Sequence, residues 1–135
     1  MGGIILNKWL IRCNLSGYDI LQDFLENRSV LYKTYDNIKK DDEIFIYGEK
    51  PLKAIFLKCI VEEVTEGIIN EEYIEIKKSR DIKLKPIENY LSIIDKVNYE
   101  ALANQGLNKD NFNGIIDKTL GEYLDSLKEE CFDIY

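Results

Sequence analysis

Histidine is missing altogether from these 135 residues. That absence excludes Ser-His-Asp and Cys-His catalysis, mixed His-Cys zinc sites and the histidine-dependent nucleases, because each needs an imidazole as base, orienter or ligand. Cysteine is scarce and odd in number. Cys13, Cys59 and Cys131 lie far apart, which argues against a disulfide framework or a zinc knuckle and for reduced, partly buried thiols. No apolar run approaches the roughly 20 residues of a membrane span. Gly2 to Leu6 is too short for a signal peptide, and Asn7-Lys8 interrupts it; the expected location is the cytoplasm. Positive charge is also in deficit, with 18 Lys and Arg against 25 Asp and Glu and a formal net charge of -7. Non-specific attraction to nucleic acid is therefore weak, and affinity for such a partner would have to come from a pocket and a local patch.

What the chain does have is an ordinary globular composition, 45% hydrophobic and 32% charged. A single domain over residues 1–135 with one hydrophobic core is expected. Its organising stretch runs from Asn37 to Val64. A charged turn, Lys39-Lys40-Asp41-Asp42, precedes a strand ending at Tyr47, then a tight turn through Gly48 and Pro51, then a second long apolar strand. The β-branched and aromatic run on both sides of that turn reads as a β-hairpin. Alternation puts Ile55, Leu57, Cys59 and Val61 on one face and Phe56 and Ile60 on the other, so both faces need cover. In so short a chain this predicts an α+β fold: a small curled β-barrel of five or six strands with two to four flanking helices.

Ahead of the hairpin, Ile4 to Cys13 alternates as a first strand, closed by Asn14. Ser16 and Asp19 suggest a helix start, and Ile20, Leu21, Phe24 and Leu25 form its apolar face up to Asn27. Arg28 to Asp36 has no clean period. Its two aromatics, Tyr32 and Tyr35, either fill gaps in the core or face a ligand. After the hairpin come a loop from Gly67 to Glu72, a one-sided strand from Tyr73 to Lys77, and another through Ile82 and Leu84 that Pro86 ends or edges. Asn98 caps a short helix stopped by Gly106, with Tyr99 and Leu102 inward. Thr119 and Glu122 form a capping box for the last helix, in which Leu120, Tyr123, Leu124, Leu127 and Cys131 keep helical spacing.

The order of these elements, with the wording Leu10 to Asn14, Asn37 to Gly48, Phe56 to Val64, and Gly106 to Gly114 followed by Glu122 to Leu124, resembles the EVE domain. That family belongs to the PUA-like superfold and is related to the YTH readers of methylated RNA. The likeness is nearest to EVE modules of restriction systems, beside McrB-type GTPases or nuclease domains, and spans roughly Trp9 to Leu127. It implies a barrel with a pocket at one end that holds a flipped, modified base between aromatic side chains. Where the family commonly carries Trp in a W-K-x-x-x-N context, this chain reads Tyr32-Lys33-Thr34-Tyr35-Asp36-Asn37, so the resemblance puts the platform at Tyr32, with Tyr35 nearby. Asn14 is the implied reader of a base edge, and Tyr47 and Gly48 match the tyrosine and turn that complete the pocket. Arg12, Lys33 and Lys53 are the candidate phosphate contacts. Two departures stand out: Asp41-Asp42 where the family often has Gly-Asp, and Gly114-Ile115-Ile116 where it often has Gly-Pro-Arg.

The implied function is a non-catalytic reader of modified nucleic acid, DNA in preference to RNA, serving a restriction or defence system. It needs no cofactor and no metal, and a McrB-type GTPase or nuclease subunit is a possible partner. Two other readings remain open at this point. Glu75-Ile76-Lys77 is half of the acid-plus-lysine arrangement of metal-dependent nucleases, which needs a second carboxylate to hold magnesium. The acidity alternatively suits a protein-interaction module with a vestigial pocket.

Overall fold

The computed structural model describes residues 6–13, 30–34, 37–50, 52–66, 80–108, 114–130 and 132–133. The expected helix from Ser16 to Asn27, the loop from Gly67 to Glu72, the strand from Tyr73 to Lys77, and the residues Asn14, Tyr35, Glu75, Lys77 and Cys131 lie outside the described residues.

The charged turn shows how the sequence is converted into a joint. Asp41 adopts φ 72°, a left-handed conformation that Gly takes freely and Asp tolerates better than most residues. Asp is thereby accommodated at a position for which the sequence resemblance leads one to expect Gly. Asp42 is fully buried. Its carboxylate accepts hydrogen bonds from the Trp9 indole Nε1 at 2.9 Å, the Asn7 amide at 3.0 Å and the Lys39 amide at 3.0 Å. Three donors compensate the desolvation that a buried carboxylate would otherwise suffer. The turn is thus tied to the start of the first strand.

That strand, β1 (Lys8–Cys13), runs parallel to β3 (Glu43–Gly48), and β3 turns back antiparallel into the long β4 (Ala54–Glu66). Next to β4 lies β5 (Arg80–Asn89), and β2 (Val30–Thr34) pairs with the first half of β5. Two two-residue strands complete the sheet: β6 (Gly114–Ile115) beside β1 and β7 (Phe132–Asp133) beside β5. The strand order is β2-β5-β4-β3-β1-β6, a mixed sheet. The expected α+β class stands, but among the described residues no pairing closes this path into a barrel.

Bulges decide which side chains share a face. Ile46 pairs with Leu57 but Tyr47 pairs with Ile55, so Phe56 is an extra residue and the strand's alternation flips there. The simple period-2 reading, which put Ile55 with Leu57, fails for that reason. Phe56, Leu57, Cys59 and Val61 join Trp9, Ile11, Ile44, Ile46, Ile82 and Leu84 in one buried cluster. Ile55 instead joins Leu10, Phe45, Tyr47 and Tyr90 in a second, on the face that the helices cover. Pro86 does not end its strand either. It is buried inside β5 opposite Cys59, beyond the β2 pairing that stops at Leu84 and before the β7 pairing that starts at Glu88, where a missing N–H disturbs neither of those ladders.

Three short α-helices, preceded by a 3-10 turn at Leu91–Ile93, lie on the second face: α1 (Ile94–Val97), α2 (Tyr99–Asn104) and α3 (Lys118–Ser126). Asn98 caps α2 as expected, accepting from the Ala101 amide at 2.9 Å, and Gly106 at φ 107° terminates it. Leu102 is buried, but Tyr99 is 49% exposed, contrary to the inward placement expected. The cap of α3 is Asp117, which accepts from the Leu120 amide at 2.9 Å. Thr119 and Glu122 sit inside the helix on its exposed side rather than forming a box. Leu120, Leu124 and Leu127 face the core. Gly121 lets α3 pass over Lys8, since an added Cβ would stand 3.2 Å from the Lys8 Cδ.

Candidate nucleic-acid interface

Of the eight residues singled out in the sequence, Asn14 and Tyr35 lie outside the described residues, and Lys33 is described only as a backbone partner of Asp81 in the β2–β5 ladder. The remaining five fall into two groups. Tyr32 is half-buried and packs on the first cluster. Tyr47, at 3% exposure, belongs to the second cluster across the sheet. Alternation along β3 is what separates them, since Ile44 and Ile46 face the first cluster and Phe45 and Tyr47 the second. Tyr32 and Tyr47 therefore do not line one cup, and Gly48 closes the hairpin opposite Ala54 as a buried backbone residue.

Arg12, Tyr47 and Lys53, in contrast, are gathered at the hairpin end. Arg12 pairs in register with Tyr47, and its guanidinium forms an ion pair with Glu49. The chain leaves β3 through a turn in which the Glu49 carbonyl accepts from the Leu52 amide at 3.0 Å. Lys53 closes it at φ 49°, an exposed lysine in a left-handed conformation. Its carbonyl accepts from the Tyr99 amide at 2.9 Å, and Ala54 bridges to Asn98. This brings in Tyr99, which the sequence reading missed as a surface residue. Nothing in the local pattern separates it from Leu102, three positions on, because a six-residue helix is too short to define a face by periodicity. Burial raises the Tyr47 hydroxyl above its ordinary pKa. The nearby Tyr99 and Glu49 raise it further against the opposing charge of Arg12, so Tyr47 is a neutral hydrogen-bonding group at physiological pH.

The helix-covered face also holds an ionic network with no signature in the local sequence pattern. Lys58 and Glu88 are only 7% and 4% exposed. Lys58 pairs with Glu43 and lies 3.9 Å from Glu88, with its ammonium 5.6 Å from the centre of the Phe45 ring. Glu88 accepts from the Tyr90 hydroxyl at 2.9 Å. Glu43 reaches Lys8 at 2.9 Å, and Lys8 reaches Asp125 of α3 at 3.4 Å. Burial alone would raise the Glu43 carboxyl, but hydrogen bonds from Lys58 and Lys8 hold it below its ordinary value. Among the described residues no buried side-chain nitrogen or oxygen lacks a partner. The described core thus keeps no orphan polar group. A shallow groove bordered by Leu6, Lys8, Ile116, Asp117 and Gly121 lies at the opposite end of β1 from the hairpin, away from every predicted contact.

No protein-family model matches this sequence, and no curated protein does. Solved structures do match in shape. The crystal structure of ASCH from Zymomonas mobilis superposes with a TM-score of 0.60 at 13% identity, covering 90% of this chain and 95% of that one. A Ser-to-Ala variant of the same protein gives 0.61 at 14% identity, over 90% and 96% of the two chains. The fold is ASCH-like. ASCH domains belong to the PUA-like superfold, which is the level at which the resemblance drawn from sequence and the shape of the molecule agree. The ASCH-like fold accounts for the mixed sheet and flanking helices and fixes no chemistry at this identity. Among the described residues no helix is long and apolar enough to cross a membrane.

Proposed function

We propose that this chain is a non-catalytic nucleic-acid-binding domain of PUA-like architecture, which holds a flipped, modified base against Tyr32. The observation that carries the reading is the environment of Tyr32. Its ring is half-buried on the first apolar cluster, backed by close packing yet open on part of its surface, as a stacking platform must be. Cys13, the residue before Asn14, packs on the same cluster. Asn14, whose carboxamide the resemblance implies as the reader of a base edge, and Tyr35, a second aromatic three positions after Tyr32, lie outside the described residues. Extruding a base costs a few kcal/mol, and stacking on an aromatic ring returns about 1–3 kcal/mol.

The ASCH-like fold supports a nucleic-acid role at the level of architecture. An EVE-type module in a restriction system, with DNA as the target and a McrB-type GTPase or nuclease as partner, is the narrower form of the proposal. It rests on the sequence resemblance alone. Tyr47 has no part in this pocket, because it belongs to the opposite face. Lys33 remains a candidate phosphate contact, whereas Arg12 stands beside Tyr47 at the hairpin end and pairs with Glu49.

Fluorescence anisotropy with short duplexes carrying methylated adenine, methylated cytosine or no modification tests the reading. One methylated duplex should bind tightest, and Tyr32→Ala should weaken that preference by about 5- to 100-fold, equivalent to the loss of one stacking contact. Equal, weak binding to all three duplexes would overturn it.

A further inference from the structure

Among residues whose side chains are described, Lys8, Arg12, Lys58, Lys83, Lys96 and Lys118 form ion pairs with carboxylates, whereas the exposed Lys39 and Lys40 of the charged turn form none with a described residue. Lys50 and Lys53 are exposed and have no carboxylate partner among the described residues. Both stand on the turn between β3 and β4. Beside them is Tyr99, a large aromatic side chain 49% exposed, anchored through its amide to the Lys53 carbonyl at 2.9 Å. The Tyr47 hydroxyl lies close enough to Tyr99 and Arg12 to feel both electrostatically.

From this juxtaposition we infer that the hairpin end is a contact surface for single-stranded nucleic acid, with a base stacked on Tyr99 and phosphates on Lys50 and Lys53. The inference rests on the nucleic-acid reading above and extends it to a second surface, distinct from the Tyr32 platform. Single-stranded binders combine a cationic track with aromatic side chains on which bases stack without sequence preference. This patch offers both within one turn and the helix it is bonded to. Glu49 and Glu100 are the opposing charges; Glu49 is occupied by Arg12, leaving the two lysines as the mobile cations of the turn. An acidic peptide would answer to the lysines but not to the ring, and this difference makes the test decisive.

The experiment uses the whole chain and a fluorescein-labelled, unmodified oligothymidylate about ten nucleotides long, within the site sizes of such binders. Tyr99→Ala should weaken binding about tenfold while leaving the preference for the modified duplex as in the parent, and Tyr99→Phe should retain binding. The paired substitution Lys50→Gln with Lys53→Asn should flatten the slope of log affinity against log salt by about 1.4, as expected for two lost phosphate contacts on a single strand. Asn at position 53 preserves the left-handed backbone, so a fold defect is not the cause. If the protein binds the modified duplex but Tyr99→Ala binds oligothymidylate as well as the parent, the inference falls and the base-reading proposal stands. If no oligonucleotide binds at all, both fall. Competition by polyglutamate that survives Tyr99→Ala would reassign the patch to an acidic protein partner and overturn the inference.

Discussion

On one face of the sheet, Trp9, Ile11, Ile44, Ile46, Phe56 and their neighbours pack as an apolar cluster whose polar company is the single carboxylate of Asp42 at its margin. On the other face, under the helices, an equally buried cluster encloses Lys58, Glu43 and Glu88 and ties them to Tyr90 and, through Lys8, to Asp125 of α3. The interior of the first face is held by burial, which is non-directional and tolerates small shifts, and directional bonding there is confined to the Asp42 turn at its margin. The second is held by burial and by geometry. A charge taken out of water is tolerated only while its partners stay in place, so the network dictates where the helical layer sits on the sheet.

Removing one member of that network is the strongest way to break the contrast. Lys58→Ala leaves Glu88 and Glu43 without their shared counter-charge in a nearly dry site. It should lower unfolding stability by about 3–5 kcal/mol in urea denaturation, the range for breaking a buried pair. Asp42→Ala acts on the other face. It strands the Trp9 indole and two backbone amides, which should cost about 3 kcal/mol and should red-shift tryptophan fluorescence as the indole finds water. A comparable loss from a conservative aliphatic swap on the first face, such as Ile44→Val, would erase the distinction between the faces. The smallest effect is on pH. Because the Glu43 carboxyl is held below its ordinary value near 4.5, its contribution is complete above that value and disappears as pH falls through its lowered folded value. Acid titration of stability should therefore be less steep for Glu43→Gln in that window, although the variant starts from lower stability at neutral pH.

Much of the local structure was legible. The β3–β4 hairpin, Asn98 as a cap, Gly106 as a stop and the buried leucines of α3 all follow from propensity, capping chemistry and period, which act over a few residues. The errors have separate causes. Period-2 reasoning put Ile55 with Leu57, and a bulge in the β3–β4 ladder overturned it. Pro86, expected to end or edge its strand, lies within β5 in the gap between the β2 and β7 pairings. The family resemblance drew Tyr47 into a cup with Tyr32, whereas alternation along β3 turns it to the other face. The cap of α3 is Asp117 because a carboxylate two residues earlier makes the bond that Thr119 was expected to make. Tyr99 was lost because the face of a six-residue helix is decided by what it lies against.

By itself the sequence determined the chemical vocabulary: no imidazole, few thiols, an acid excess, apolar strands of known place and helices with marked ends, since each depends on residue identity and near neighbours. Only the tertiary structure decided which lysines are buried with carboxylates and which stand free on a turn, which tyrosines are sealed and which are open, and on which face of the sheet each lies. Those outcomes depend on strand register and on desolvation by residues far along the chain, quantities that no local window contains.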